Sequence, residues 1–431
     1  MRFHPKGFDL SLDRIRAILA KLGDPHTKLP PVIHIAGTNG KGSATAFCRA
    51  ALEAQGLRVH THTSPHLVRW HERFRLATGP GVSAFADDEV LSDAIDRVAR
   101  ANNGQHITVF EILTAVMFVL FAETPADACV IEVGLGGRFD ATNVIDTPAS
   151  TIIMPVSLDH EAFLGNTVEK IAFEKAGIIK PSVPLVIGAQ IFDGARDVIA
   201  DRARTVGAPS EVYGEDFLAY EEHGRMVFQY PDGLLDLPMP TLLGRHQLAN
   251  AAAALMGVRA AGFAMDEDIA SAAVRNVAWP ARMQRLPQGV LSGLAPDDSE
   301  IWIDGGHNPD AARMAAEFLA EREDSIERPL FLIIGMINTK DAKGYFSAFK
   351  DMTRHVFTVP VASSDAGVAP DVLAAQAAEA GVSAEPVHSV AAALSLLGDG
   401  WKPPEAAPRI LIGGSLYLAG DVLAENGTPP A

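Results

Sequence analysis

The sequence predicts an α/β protein: a mostly parallel sheet covered by helices on both faces, followed by a second, smaller α/β region. Three observations carry this. The apolar run Val32-Ile33-His34-Ile35-Ala36 passes through a glycine-rich loop, residues 37–43, into a helical stretch. Strand, glycine loop and helix in that order open a nucleotide-binding α/β unit. Further short apolar runs alternate with helical stretches, as expected for parallel strands buried on both faces. A comparable series begins again after Trp279-Pro280. At 431 residues the chain exceeds one ordinary core, so two domains are expected, over residues 1–286 and 287–431.

The elements follow in order. Residues 9–22 carry apolar positions at helical spacing, and Pro30-Pro31 punctuates before the first strand. The loop helix is expected over residues 44–55, ended by Gly56. Residues 107–121 form the most apolar run; with Glu111 inside, and short of the roughly 20 residues a membrane span needs, it reads as a buried helix. Strands are expected at 128–133, 151–154 and 185–188. Residues 166–177 read as a helix capped by Asn166, with Glu169 three positions on. Short alternating runs between 211 and 237, broken by Pro231-Asp232-Gly233, predict a small antiparallel excursion. An alanine-rich helix over 247–261 follows. Strands at 300–304, 330–335, 356–359 and 409–412 make the second sheet, and residues 287–299, rich in Gly, Pro and Asp, read as the linker. The tail from Glu425 is expected to fray.

Composition narrows the function. The formal net charge of -17 argues against a nucleic-acid partner, because phosphate backbones need a basic face. A small anionic substrate needs only a few local cations. Two cysteines, Cys48 and Cys129, make no disulfide framework, and the amino-terminal segment lacks a signal-peptide pattern. A cytoplasmic protein without a membrane span is the expectation.

The strongest chemical signal is Gly37-Thr38-Asn39-Gly40-Lys41-Gly42-Ser43. Glycines let backbone N–H groups turn toward phosphate oxygens, the helix start favours anions, and Lys41 reaches for the terminal phosphates. The spacing departs from the strict Walker pattern, since Gly42 separates Lys41 from Ser43. Glu132 closes an apolar strand, where nucleoside-triphosphate enzymes keep an acid near magnesium. It leads into Gly134-Leu135-Gly136-Gly137-Arg138-Phe139-Asp140-Ala141-Thr142-Asn143, a loop suited to a substrate. Alone, His160 reads more readily as structural than as a ligand, because magnesium prefers oxygen, and Lys175 as a solvated helix lysine. Asp304-Gly305-Gly306-His307-Asn308-Pro309 ends a strand and opens a helix, a pattern that fits a nucleotide contact and a plain capped start equally. Asn338-Thr339-Lys340-Asp341 misplaces its lysine by one position for a guanine-specificity motif and carries no assignment.

In chain order, the pieces His34-Ile-Ala-Gly-Thr-Asn-Gly-Lys-Gly-Ser43, Thr63-Ser-Pro-His66, Phe110-Glu111 with Thr114, and the segment from Glu132 resemble the folylpolyglutamate synthase / dihydrofolate synthase family, relatives of the Mur ligases. So do Asp159-His160, Glu174-Lys-Ala-Gly-Ile-Ile-Lys180, Gly244-Arg-His-Gln247 with Asn250, Trp279-Pro-Ala-Arg282, the segment from Asp304, and Gly414-Ser415. The resemblance implies an amino-terminal P-loop-type ATPase domain that also binds the pterin or folate, and a smaller Rossmann-like domain contributing to the ATP and glutamate cleft. It implies that Thr38, Asn39, Gly40, Lys41, Gly42 and Ser43 hold ATP phosphates, and that Asn250, Arg282 and Asp304 contact the nucleotide. Ser64, on the loop after the first helix, Glu132 and His160 match magnesium ligands. Lys175 matches a lysine the family carbamylates, His307 a residue at the catalytic cleft, and Thr108, Phe139 and Asp140 the pterin region. Three departures stand out: Ala281 for a usual Gly, Gly305 for a common Ala, and Phe139 for a common Leu.

The implied reaction is ATP-dependent ligation of L-glutamate to dihydropteroate and to tetrahydrofolates, through an acyl phosphate, by a monomer. Closure of two domains would keep water from that intermediate. The alternatives are folylpolyglutamate synthase activity alone, a Mur-type ligase acting on a nucleotide-linked peptide, and a nucleotide-binding regulator without catalysis. Lys41-Gly42-Ser43 and Thr63-Ser-Pro-His66 favour the folate branch, and Lys41, Glu132, His160 and Lys175 together argue against lost catalysis.

Overall fold

A computed structural model describes residues 11–402 and 406–430. They divide into two compact units, one holding residues 11–66, 70–241 and 247–278, the other 67–69, 242–246 and the chain from Trp279 onward.

The first unit is built on an eight-stranded sheet. Its strands are β1 Val32–Ala36, β2 Val59–His62, β3 Phe74–Gly79, β4 Val82–Phe85, β5 Ala128–Glu132, β6 Ser150–Ile153, β7 Leu185–Ile187 and β8 Ser210–Val212. Their order is β4-β3-β2-β5-β1-β6-β7-β8. From β2 to β8 along that order every pairing is parallel, and at the edge the β2–β3 and β3–β4 pairings are antiparallel, so β3 alone is reversed. β1, β2, β5, β6 and β7 are buried along their whole length; β1, β5 and β7 are correspondingly apolar for most of their residues, whereas β2, Val59-His60-Thr61-His62, buries three polar side chains. Helices cover both faces. Val109–Glu123 packs Phe118, Phe121 and its apolar neighbours with β3 and the first helix, and Val168–Lys175 and Asp193–Val206 pack on the other sheet end.

Several sequence boundaries shift for local reasons. The helix described at the amino terminus is Asp13–Lys21; positions 9 and 10 of that expectation lie outside the described residues. The loop helix begins at Lys41, three residues earlier than expected, because Gly40 at φ 82° turns the chain straight into it. Thr167, not Asn166, caps the next helix, accepting from the Lys170 amide; Asn166 instead accepts from the Lys170 ammonium at 3.1 Å. The antiparallel excursion is confirmed as β9 Leu218–Glu222, β10 Arg225–Tyr230 and β11 Gly233–Pro238.

The second unit holds β12 Gln284–Arg285, β13 Glu300–Ile303, β14 Leu330–Ile334, β15 His355–Thr358, β16 Ala384–Pro386 and β17 Arg409–Gly413, ordered β12-β13-β17-β14-β15-β16. All pairings but β12–β13 are parallel. The expected linker at 287–299 is instead docked: Leu291 is fully buried, and Asn426 ties the segment down by accepting from the Leu291 and Ser292 amides and donating to the Pro287 carbonyl.

Two features invite measurement. Ala281, where the family resemblance expects Gly, sits in the left-handed region at φ 55°, a conformation costing a residue with a Cβ about 1 kcal/mol. Ala281→Gly is expected to raise the urea or thermal stability of the second unit by up to about 1 kcal/mol. A comparable fall would mean that the fully buried Ala281 methyl contributes more in packing than its backbone conformation costs.

The second feature lies in the first sheet. His34 on β1 and His62 on β2 have no exposed surface, and desolvation pulls both imidazoles down to about 3 from 6.5, with Lys180 adding to the effect at His34 and Arg73 opposing itself at His62 through a carbonyl contact and a charge. The fold therefore refuses protons that the unfolded chain takes up below pH 6.5. Their stabilising contribution is complete above pH 6.5 and is lost as pH falls toward 3, at about 1.4 kcal/mol per pH unit for each histidine. Urea unfolding between pH 6.5 and 5 should show this slope, and His34→Gln should lower it by one proton. An unchanged slope would mean that His34 takes up a proton in the folded protein.

Candidate active site

In a parallel sheet, ligands gather beyond the carboxyl ends of the strands, where neighbouring connections leave in opposite directions. β1 is such a place, flanked by β5 and β6, and four loops leave the carboxyl ends of β2, β5, β1 and β6 side by side. Those loops carry Ser64, Glu132 with residues 134–143, the glycine loop, and Pro155 to His160. Ser64 thus follows a strand, β2, which intervenes after the helix Lys41–Ala54, rather than following a helix directly.

The glycine loop is fixed from β6. Thr38 and Asn39 both donate their amides to the Pro155 carbonyl, at 2.8 and 3.2 Å, and the Thr38 hydroxyl donates to the Ser157 carbonyl while accepting the Ser157 amide. The first intrahelical bond runs from the Ala44 amide to the Gly40 carbonyl, so the Lys41, Gly42 and Ser43 amides at the helix start have no acceptor within the helix. That is an anion site in backbone form. Gly40 is required twice over: its φ is positive, and a Cβ would lie 2.7 Å from the Asn250 side-chain oxygen. Asn250 is in turn held by donating to Gln247 at 3.0 Å.

Around this cradle the charges converge. Lys41 donates its ammonium to the Thr38 carbonyl at 3.1 Å and stands 3.9 Å from Glu132. The other Glu132 oxygen accepts the Ser64 amide at 3.3 Å. The Ser64 hydroxyl is buried beside that carboxylate with no hydrogen-bond partner among the described residues. An orphaned buried hydroxyl next to a buried carboxylate is the oxygen-rich donor set a hard divalent cation takes. Lys175, also buried, donates to the Gly37 carbonyl at 2.8 Å, which joins its helix to the loop's root. His160 is exposed and left-handed at φ 52°, with its amide bonded to the Asp159 carboxylate.

The loop after β5 is organised by Asp140. Its carboxylate accepts the Leu135 amide at 2.9 Å, the Thr142 amide at 3.0 Å and the Thr142 hydroxyl at 2.5 Å. Burial pushes the carboxyl above its ordinary range against the pull of these donors and of the Gly134 amide. His34, which the sequence places on the first strand without a role of its own, meets the same hydroxyl through Nε2 at 2.9 Å. Since Thr142 donates to Asp140 and His34 is neutral, Nε2 carries the proton. A polar residue inside an otherwise apolar strand was the available signal. Thr108 caps the helix Val109–Glu123 in a reciprocal box with Glu111, and Arg14 braces that glutamate at 3.0 Å. Phe110 lies on Gly134, so this helix start and the Asp140 loop are neighbours. Phe139 is half-buried, with the Arg138 guanidinium over its ring.

The second unit brings its own group together. Asp304 accepts the Met283 and Gly306 amides at 2.9 and 2.7 Å, Arg282 donates to the Ala281 carbonyl at 3.0 Å, and His307 contacts the Gly305 carbonyl through Nδ1 at 3.0 Å. A Cβ on Gly305 would lie 2.7 Å from the Arg282 guanidinium, so the exchange of Ala for Gly here gives that side chain room. Asn308 caps the helix Pro309–Ser325.

Residues 35–258 match the Mur ligase middle domain, and residues 282–412 the Mur ligase, glutamate ligase domain. The chain is 32% identical to folylpolyglutamate synthase of Lacticaseibacillus casei, over 95% of this chain and 92% of that one. Among solved structures it is similar to Escherichia coli FolC in complex with DHPP and ADP, at 28% identity and a TM-score of 0.84, covering 98% of this chain and 94% of that one. It is also similar to a bifunctional folylpolyglutamate synthase/dihydrofolate synthase complexed with AMPPNP and Mn ion from Yersinia pestis, at 27% identity and a TM-score of 0.82, covering 98% and 94%. With its phosphate cradle, its buried acid and both family domains in place, the chain belongs to the Mur ligase family of ATP-dependent amino-acid ligases, in its folylpolyglutamate synthase / dihydrofolate synthase branch.

Proposed function

We propose that this enzyme joins L-glutamate to dihydropteroate, forming dihydrofolate, and to the γ-carboxylate of tetrahydrofolates, with ATP as the energy source. The observation that carries the reading is the convergence of Lys41, Glu132 and the unpartnered Ser64 hydroxyl on the amides at the start of the helix Lys41–Ala54. A carboxylate does not condense with an amine in water without activation. The acceptor carboxylate attacks the γ-phosphorus of ATP, ADP leaves, and an acyl phosphate forms. The glutamate amine, having lost its proton, attacks the acyl carbon, and phosphate departs as the amide forms.

This chain's residues serve that chemistry by position and charge. Gly40, Lys41, Gly42 and Ser43 receive phosphate oxygens through the loop and helix amides, and the Lys41 ammonium offsets the charge that grows on the transferring group. Thr38 and Asn39 act on the phosphates by holding the loop to β6. Ser64 and Glu132 supply oxygen donors for magnesium, with His160 as the third ligand the family resemblance assigns. When bound, magnesium neutralises phosphate charge. Lys175 is assigned the family's carbamylation; the modification would replace an ammonium by a carboxylate-like group at the root of the phosphate loop. Asn250 is assigned to the nucleotide from the first unit, and Arg282, Asp304 and His307 to the nucleotide and the reacting groups from the second. Thr108, Phe139 and Asp140 are assigned to the pterin side, Asp140 by shaping its loop.

We assign the enzyme to the cytoplasm as a monomer, acting without nucleic acid or membrane. Both cysteines are free and buried, and among the described residues no helix is long and apolar enough to cross a membrane.

The test is incubation with ATP, magnesium and labelled glutamate, with dihydropteroate and tetrahydrofolate offered in parallel. Labelled product from both acceptors is expected; product from tetrahydrofolate alone reduces the assignment to folylpolyglutamate synthase, and product from neither removes it. Lys41→Ala should lower kcat by about 10²–10³-fold. Ser64→Ala should raise the magnesium concentration for half-maximal rate by roughly tenfold or more. An unchanged magnesium dependence would remove Ser64 from the metal site.

A further inference from the structure

Arg138 lies midway along the loop between Glu132 and Asn143, and its backbone is fixed on every side. Its amide donates to the Glu174 carbonyl at 2.8 Å, and its carbonyl accepts from the Asn143 side chain at 3.0 Å. Its Cα presses on Gly177 so closely that a Cβ there would come within 2.4 Å. The guanidinium, by contrast, is exposed and makes no hydrogen bond or ion pair among the described residues. Two rings hold it instead: Phe139, 4.7 Å from its centre, and Phe173, 5.6 Å away on the helix that ends at Lys175. Phe173 is itself half exposed, so the stacked guanidinium lies at the surface.

A guanidinium restrained by aromatic faces keeps its forked N–H groups available and loses little freedom when an anion arrives. In a chain of net charge -17, an exposed guanidinium on the loop after Glu132 has the charge and the forked geometry that suit a carboxylate. The incoming glutamate reacts through its amine and keeps both carboxylates whichever acceptor is used; on the acceptor, the ligation chemistry leaves one carboxylate unused. A glutamate-bearing acceptor reacts through its γ-carboxylate, and its α-carboxylate remains charged and must be held. Dihydropteroate has a single carboxylate, and that one reacts.

We propose that Arg138, braced by Phe139 and Phe173, binds the non-reacting α-carboxylate of the acceptor's terminal glutamate and so determines how well glutamate-bearing acceptors are used relative to dihydropteroate. This rests on the ligase reading above. It makes the bulk at position 139 a matter of anion recognition as well as of the pterin.

The test compares the two acceptors in wild type, Arg138→Gln and Arg138→Lys. For Arg138→Gln, kcat/KM for tetrahydrofolate is expected to fall about 10–100-fold relative to its value for dihydropteroate. Arg138→Lys keeps the charge without the planar fork and should recover part of that loss. Phe173→Ala should shift the ratio in the same direction, by less. Equilibrium binding of tetrahydrofolate against tetrahydropteroate, which lacks the glutamate, gives the same comparison without turnover and serves if the wild type uses only one acceptor. An unchanged ratio, or equal losses for both ligands, overturns the proposal and leaves Arg138 as a clamp between its loop and the helix; a matching drop in melting temperature would identify that role. Failure of the ligase reading would look different, since the wild type would then form no product from either acceptor.

Discussion

The first unit's chemistry depends on one join, between the end of β1 and the end of β6. Thr38 and Asn39 give both amides to a single carbonyl, Pro155, and the Thr38 hydroxyl closes a second pair of bonds with Ser157. With those donors committed, the chain cannot swing away from the sheet, and Gly40 must turn it into the helix at once. Lys41 then has its ammonium drawn back over the loop to the Thr38 carbonyl, and Lys175 secures the Gly37 carbonyl from another element. The cradle is therefore stiff before any phosphate arrives, which is what lets fixed dipoles act without reorganising during the reaction.

Stiffness matters because the charge balance is adverse. A chain of net charge -17 that handles ATP, a folate and glutamate repels these anionic substrates at long range. Favourable contact must come from a few cations and backbone amides placed at close quarters, where screening by salt is weakest. Lys41 and Glu132 show how this is arranged. At 3.9 Å the pair is an ion pair without a direct hydrogen bond: one Glu132 oxygen faces Lys41, the other accepts the Ser64 amide, and the Lys41 ammonium makes its hydrogen bond to the Thr38 carbonyl.

Much of this was legible in the sequence because it is local. A fully buried parallel strand leaves an apolar run, and a phosphate loop leaves glycines at fixed spacing, so β1, β5, β6 and their loops could be located. Edges are different. β12 is two residues long, β16 includes Pro386, and β4 alternates exposed with half-buried side chains around the exposed Val82; each is a strand only because a neighbour offers it hydrogen bonds. The segment 287–299 has the composition of a linker, yet Asn426, more than 130 residues away, holds it in place. Nothing in its own residues announces that partner. The Asn166 cap failed by one position for a similar reason, since Asn166 and Thr167 are both good caps and the backbone chose.

Arg138 and Asp140 show how far a motif can be read and where it stops. The sequence put both on one loop and marked Asp140 for the pterin. The acid, however, is buried among the loop's own donors, with its proton affinity raised by desolvation and its nearest hydroxyl shared with His34. A carboxylate so occupied shapes the loop and has little left to offer a ligand. Two residues earlier the situation reverses: the Arg138 backbone is the fixed part and its side chain is available. Recognition on this loop therefore falls to what the fold leaves unsatisfied. Phe139, between the two, is one of the three departures from the family pattern that the resemblance marks, and its ring lies against the available charge rather than the buried one.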